Sequence, residues 1–255
     1  MSIRIDRTPP RTVIVGGPPR SGTRFVTDAL NRHPDVAIEG EPHAAALRET
    51  LAYIDRMDAE MAAVGAKYWQ DSRADIFWAA VRGAQKQGLR RDRVKAGVEG
   101  FKLPRIEHQW SRIHGIVGPM TFVFCLRPFP EHWLSIWNRW PEQKIEDVAA
   151  LFIQSIVHAG SMADCPEITL VSFGLPQMAA NGASHLSGIG NALNLADVDG
   201  WAQSIDQHRR ANAADKFTCA KRTTLTPEEQ AFIDAHPNIA AAYDDHWRRV
   251  DAPYR

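Results

Sequence analysis

The stretch VIVGGPPRSGTRFVTDAL, residues 13–30, decides the fold of this chain. It begins with a short β-branched run that is typical of a buried strand, and it ends in the apolar spacing of a helix. Between the two lies a tight turn of glycines, prolines and small residues. A glycine-rich turn from strand to helix offers free backbone N–H groups and the positive end of the helix dipole. The sequence therefore predicts a phosphate-binding loop.

The turn GPPRSGTR, residues 17–24, contains the groups that would hold the anion. Gly22 permits close approach of the backbone, and the planar guanidinium of Arg20 suits a bidentate phosphate contact. The residues predicted to bind are Pro19, Arg20, Ser21, Gly22, Thr23 and Arg24. In the nucleotide triphosphatase pattern GxxxxGK[ST], lysine would stand at Thr23 and a magnesium-binding hydroxyl at Arg24. The loop thus favours an anion other than a magnesium–nucleoside triphosphate.

Length and composition suit one α/β domain, and no linker-like segment divides residues 1–255. Lys plus Arg and Asp plus Glu each number 30, so no net charge draws the chain to nucleic acid or to a membrane surface. No apolar run approaches the roughly 20 residues of a membrane span. The three cysteines are widely spaced, which suits a reducing compartment. We expect a cytoplasmic protein without a membrane span.

Strand-like and helical patterns alternate along the chain. Strands are predicted at residues 12–15, 35–38, 98–101, 121–126 and 168–173, and apolar helical stripes begin at Leu47 and Ile145. This alternation predicts a mostly parallel sheet with helices on both faces.

A second anion grip follows the strand TFVFC, residues 121–125. Arg127 stands at the end of that strand, and Ser135 follows eight residues later on a predicted helix. An arginine at a sheet edge and a serine on the next helix can hold one phosphate from two sides. Taken alone, the pair favours the simpler interpretation, a surface arginine and a helix serine.

Together the two elements resemble those of sulfotransferases that use 3′-phosphoadenosine 5′-phosphosulfate (PAPS). GPPRSGT resembles the family's 5′-phosphosulfate loop, and Arg127 with Ser135 matches its 3′-phosphate signature. HPDVAIEGEPH at 33–43 and GFKLP at 100–104 are similar to active-site segments of family members, the first to those of tyrosylprotein and carbohydrate sulfotransferases. The resemblance covers roughly residues 12–175. It implies a three-layer, P-loop-like α/β fold with a mostly parallel central sheet flanked by helices.

The resemblance also implies an activity, the transfer of a sulfuryl group from PAPS to a hydroxyl acceptor without a metal. Arg20 and Thr23 would neutralise charge on the leaving 5′-phosphate, and Lys102 would reach the bridging oxygen. The acceptor is expected to be a small molecule or a glycan, and its identity and the oligomeric state are left open.

The general base is expected in the segment EGEPH. Glu41 holds the family-like position just after Gly40 and is the predicted base, with Glu39 and His43 as the alternatives. Lysine at position 102 is read as charge stabilisation, because a protonated amine cannot accept a proton.

Departures from the family pattern leave two other functions open. The loop ends in Thr-Arg instead of two hydroxyl residues, Pro128 follows Arg127, and the strand at 168–173 lacks a closing acidic residue. No family-like closing segment appears near the C-terminus, where Arg209, Arg210 and Lys216 are the candidate substitutes. The alternatives are a P-loop small-molecule kinase and a non-catalytic binder of adenosine 3′,5′-bisphosphate.

Overall fold

A computed structural model of the chain describes residues 11–83, 96–212 and 222–250. Its strands are β1 (Arg11–Gly16), β2 (Val36–Glu39), β3 (Val98–Lys102), β4 (Met120–Leu126) and β5 (Ile168–Gly174). They pair in parallel, in the order β2-β3-β1-β4-β5. Each predicted strand is present, with both ends within one residue of the predicted bounds. The predicted parallel sheet is therefore confirmed.

Helices connect the strands and extend the chain beyond them. They are α1 (Thr23–Leu30), α2 (Ala44–Ala63), α3 (Tyr68–Gly83), α4 (Trp110–Val117), α5 (Phe129–Trp137), α6 (Ile145–Ala163), α7 (Leu175–Asn181), α8 (Ala183–Ala192), α9 (Val198–Asn212), α10 (Pro227–Ala235) and α11 (Pro237–Val250). A short 3-10 helix, Ile106–Gln109, precedes α4. No helix within the described ranges has the length and apolarity needed to cross a bilayer.

The sheet is covered on both faces because successive strand residues point to opposite sides. Ile14 of β1 and Phe122 of β4 belong to a core that they share with α2–α6 and α11. Val13 and Val15 belong to a second core, built with α1 and α7–α9. The result is a three-layer α/β/α architecture, which confirms the predicted P-loop-like fold class.

The strand order places β1 between β3 and β4. From β1 the chain fills one side of the sheet with β2 and β3, and it then crosses to the other side for β4 and β5. Such a change of direction opens a crevice at the carboxyl ends of parallel strands, where ligands bind in α/β folds. The segments that follow β2, β3, β1 and β4 therefore lie in that order along one edge of the sheet.

Candidate active site

The first loop is shaped by a backbone that only glycine tolerates. Gly17 has φ +122°, and a Cβ there would lie 2.2 Å from the carbonyl oxygen of Cys125 on β4. Gly22, with φ +104°, is the N-cap of α1, and Val26 N–H donates the first helical bond to its carbonyl. The loop thus packs directly against β4 and delivers the N-terminus of α1 to the carboxyl edge.

The N-terminus of α1 is rich in free donors. Within the described part of the chain, the N–H groups of Gly22, Thr23, Arg24 and Phe25 donate no hydrogen bond, and no side chain caps the helix. The hydroxyl of Ser21 is fully buried and also has no partner among the described residues. Orphan N–H groups together with the helix dipole attract an anion. This end of the helix could therefore bind an anion, and phosphate binding by the loop stays a prediction.

Arg20 links the loop to α5. Its backbone lies in the left-handed region at φ +70°, an uncommon conformation for a residue with a side chain. Its Nε donates to the Oγ of Ser135 across 3.3 Å. The structure thus brings together one residue from each of the two predicted phosphate grips.

Arg127 leaves the end of β4 beside this pair. Its Nε is buried and has no acceptor among the described residues. Burial lowers the pKa of Arg127, as does the nearby charge of Arg20, whereas Glu131 raises it. A buried guanidinium N–H without an acceptor is costly, and an anionic ligand would satisfy it. Arg127 and Arg20 therefore form a cationic pair at the mouth of the loop.

A second pair lies on the other side of the loop, at the ends of β2 and β3. The Nζ of Lys102 lies 2.6 Å from Oε1 of Glu41. The Lys102 side chain is 11% exposed and that of Glu41 is 50% exposed, so the lysine is fixed by the fold while the carboxylate reaches solvent. Because Lys102 is in register with Val15 of β1, this pair lies beside the loop that follows β1.

The two alternative bases have different surroundings. Partial burial raises the pKa of Glu39. The charge of Arg82 lowers this pKa and that of Glu99 raises it further. Arg82 and Glu99 form a salt bridge of 2.7 Å. His43 is the exposed N-cap residue of α2, and no hydrogen bond of its ring is present within the described residues. Glu41 is the candidate that contacts Lys102.

Not every residue predicted for the site faces it. The side chain of Arg24 is 89% exposed and lies 3.7 Å from Asp28, one helical turn along α1. Pro19 is partly buried in the loop. The side chains of Arg209 and Arg210 and all of Lys216 lie outside the described residues, so the predicted closing segment stays a prediction.

Sequence reasoning missed three residues around the loop. Glu107 is fully buried, and its Oε2 accepts a hydrogen bond of 2.8 Å from Gly17 N–H. Arg105 has φ +65°, and its N–H donates to the Gly17 carbonyl. His132 is buried on α5, and burial, with help from Arg127, lowers its pKa to about 3. Residues 105–107 follow β3, so a prediction that β3 pairs with β1 would have placed them beside the loop.

Arg222, far along the sequence, contacts the end of α5. The Asn138 side chain donates to the carbonyl of Arg222 at 2.9 Å and accepts from its N–H at 3.0 Å. The Arg222 guanidinium stacks 4.1 Å from the ring centroid of Trp137 and forms two hydrogen bonds to Glu229. These contacts fix residue 222 next to the helix that carries Ser135.

Comparison with known proteins identifies the architecture. No protein-family model and no curated protein sequence matches the chain. Among solved structures, sulfotransferase STF9 from Mycobacterium avium is similar, with a TM-score of 0.52 and 12% identity over 91% of this chain and 77% of that one. The chain has the sulfotransferase fold.

Two further structures are similar at lower scores. The sulfotransferase domain of the Synechococcus PCC 7002 olefin synthase has a TM-score of 0.48 and 12% identity, over 90% of this chain and 96% of that one. Mouse sulfotransferase SULT7A1, complexed with PAP, has a TM-score of 0.46 and 11% identity, over 96% and 87% of the two chains. At 12% identity, the likeness to sulfotransferase STF9 establishes the fold alone.

Proposed function

We propose that the protein is a PAPS-dependent sulfotransferase that modifies a hydroxyl group of a small molecule or a glycan. One observation carries the proposal: two neighbouring arginines and a lysine–carboxylate pair lie along the carboxyl edge of a sulfotransferase fold. The arginines are Arg20 and Arg127, and the pair is Lys102 with Glu41.

The donor would lie across β1 and β4. The free N–H groups from Gly22 to Phe25 suit its 5′-phosphosulfate, and the unpartnered Nε of Arg127 with the Ser135 hydroxyl suits its 3′-phosphate. Arg20 contacts Ser135, so its guanidinium borders both positions. Neither phosphate needs a metal ion, because fixed cations and backbone donors neutralise the charge.

Chemistry would take place between the loop and Glu41. The acceptor oxygen forms a bond to sulfur while the bond from sulfur to the 5′-phosphate oxygen breaks. The acceptor proton passes to Glu41, and charge on the departing oxygen is neutralised by Lys102 and the N–H groups of the loop. The products are a sulfate ester and adenosine 3′,5′-bisphosphate, and Glu41 returns its proton to water.

The salt bridge gives Glu41 a defined orientation. Lys102 holds Oε1, and no hydrogen bond to Oε2 is present within the described ranges. A carboxylate anchored at one oxygen can present the other to an incoming hydroxyl. Proximity and alignment of this kind account for a large share of catalysis in group-transfer enzymes.

Ligand-dependent stability tests the proposal. Adenosine 3′,5′-bisphosphate at 100 times its Kd should stabilise the fold by about 2.7 kcal/mol, which a thermal shift detects. Addition of a chelator should leave the shift unchanged. Stabilisation by magnesium–ATP but not by the bisphosphate would support the kinase alternative. Nucleotide binding without sulfuryl transfer to any hydroxyl acceptor would support the non-catalytic one.

A further inference from the structure

Gly17, the first residue of the loop at 17–24, is held by two hydrogen bonds to one short segment. Its N–H donates to Oε2 of Glu107 at 2.8 Å, and its carbonyl accepts from Arg105 N–H at 3.0 Å. Both partners lie just after β3, which pairs with β1. The segment that follows β3 therefore fixes both polar groups of the first loop residue.

A fully buried carboxyl group at this place has a cost that packing does not explain. The Glu107 side chain is 0% exposed, and charged residues are rarely so deeply buried without a charged partner. Oε1 has no hydrogen-bond partner among the described residues and lies 3.8 Å from His108 Nε2. Burial raises the pKa of the carboxyl, while the nearby Ser155 hydroxyl, the Gly17 N–H and the charge of Arg105 lower it. An apolar side chain would fill the same space without this desolvation.

The hydrogen bond between Gly17 N–H and the Glu107 carboxyl can hold the loop in a conformation that binds a ligand. Gly17 has φ +122°, a conformation that glycine adopts readily, so hydrogen bonds and not a side chain of its own hold it in place. Without the carboxyl, the buried N–H of Gly17 would lose its acceptor, and the loop would reorient to recover one. Arg20 and the N-terminus of α1 follow within the same turn and would move with it.

We infer that Glu107 is a positioning residue, which through Gly17 holds residues 17–22 in the conformation that presents Arg20 and the α1 N–H groups to the donor. The inference rests on the proposed function for the identity of that donor. It adds a link between the two halves of the site. Lys102 and Glu107 lie on one continuous segment, and Leu103 N–H donates to the Val15 carbonyl at 3.0 Å. The lysine that would meet the bridging oxygen and the carboxyl that holds the phosphate loop are thus set by the same stretch of backbone.

Four substitutions test this role. Glu107→Gln keeps an oxygen acceptor for Gly17 N–H, whereas Glu107→Met keeps the length and removes the acceptor. Glu107→Asp is the milder disruption, because the shorter side chain withdraws the carboxyl. Asp206→Leu is the matched control: it also removes a buried carboxylate, but on α9, beside Gly182 and on the opposite face of the sheet.

The readouts are the Kd for adenosine 3′,5′-bisphosphate by calorimetry and amide hydrogen exchange over residues 16–25 in the free protein. We expect Glu107→Met to weaken the Kd by about 10-fold or more and to speed loop exchange by a similar factor. Glu107→Asp should show the same changes to a smaller extent, and Glu107→Gln and Asp206→Leu should stay within about 3-fold of wild type. In turnover assays, Glu107→Met should raise the KM for PAPS and leave that for the acceptor unchanged.

Two outcomes overturn the inference. One is that Glu107→Met binds adenosine 3′,5′-bisphosphate and exchanges its loop amides like wild type. If the methionine variant does not fold, the same result in Glu107→Asp has the same meaning. The other is that Asp206→Leu loses as much affinity as Glu107→Met. A wild-type protein that does not bind adenosine 3′,5′-bisphosphate overturns the proposed function instead. Loop exchange, which needs no ligand, then still decides whether Glu107 positions the loop.

Discussion

Lys102 Nζ and Glu41 Oε1 lie 2.6 Å apart, and the two residues come from the ends of neighbouring parallel strands. Strand pairing therefore brings the two residues to the same edge of the sheet. Lys102 is the last residue of β3, and Glu41 follows β2 by two positions. Lys102 is largely buried and Glu41 is half exposed, so each partner can be tested separately for the role proposed for it.

Glu41→Gln should leave nucleotide affinity intact and lower kcat roughly 10²–10⁴-fold, because it keeps the shape and removes the basic oxygen. Calorimetry with adenosine 3′,5′-bisphosphate and steady-state kinetics give the two readouts. Glu39→Gln and His43→Ala are the controls, and each should cost less activity. If Glu41→Gln turns over like wild type while His43→Ala is inactive, the histidine is the base.

Lys102→Met should lower kcat by roughly 10²–10³-fold, as expected when one preorganised charge at a departing oxygen is removed. Its effect should combine non-additively with that of Glu41→Gln, because each substitution also breaks the pair that the other relies on. A double-mutant cycle on kcat/KM measures this coupling. Strict additivity would show that the salt bridge has no part in catalysis.

Arg127→Ala should weaken the binding of adenosine 3′,5′-bisphosphate by about 1.5–3 kcal/mol, since it removes charge-assisted hydrogen bonds. The loss should be specific to the 3′-phosphate, so the affinity for adenosine 5′-monophosphate should change little. Arg24→Ala is the matched control, because that side chain faces solvent beside Asp28. Undiminished discrimination between the two nucleotides in Arg127→Ala would remove this residue from the 3′-phosphate site.

Local signals made much of this fold predictable. The strand-like apolar runs located the five strands to within one residue, and the apolar stripes located α2 and α6. The sequence TPEE, residues 226–229, is typical of a capping box, and at the start of α10 Thr226 Oγ1 accepts from Glu229 N–H while Glu229 Oε2 accepts from Thr226 N–H. Each of these patterns is set by residues a few positions apart, so a linear reading can find it.

Features that depend on distant parts of the chain were less accessible. In RIEHQ, residues 105–109, Glu107 looks like a surface glutamate, and its burial follows only from the pairing of β3 with β1. Residues 175–199 show no clear period, and Gly182 at φ +52° divides them into α7 and α8 before α9 begins. The contact of Arg20 with Ser135 spans 115 positions and follows from the placement of β1 beside β4.

Gly17→Ala should destabilise the fold by about 2–5 kcal/mol, because a left-handed backbone conformation and a steric clash add together. The clash is with the Cys125 carbonyl, 2.2 Å from the added Cβ. Gly65→Ala is the matched control: it has φ +65°, but its Cβ would meet no atom of the described residues within 4 Å. The control should lose only about 1–2 kcal/mol. If urea unfolding shows the same loss of stability in both variants, β4 moves away from the added Cβ without strain.

Acid should destabilise the fold through two buried histidines. Burial lowers the pKa of His132 to about 3 and that of His246 to about 4, from 6.5 in the unfolded chain. Below pH 6.5 the unfolded chain therefore binds protons that the folded chain does not, so stability is complete above that pH and falls toward pH 4. Each histidine adds a slope of at most about 1.4 kcal/mol per pH unit. Glu107, whose pKa burial raises, contributes the opposite slope above pH 4.5, so the test compares slopes between variants.

His132→Leu removes one of the two histidine contributions. Its ring packs against Phe129 and Phe152, and its Nδ1 has no partner among the described residues, so an apolar side chain suits the site. Urea unfolding from about pH 7.5 down to about pH 4.5 should show a shallower loss of stability than in wild type, by up to one proton's slope. The value at the upper end of this range corrects for any change in packing. An unchanged slope would mean that His132 takes up its proton in the folded state, and that the buried ring next to Arg127 is accessible to water.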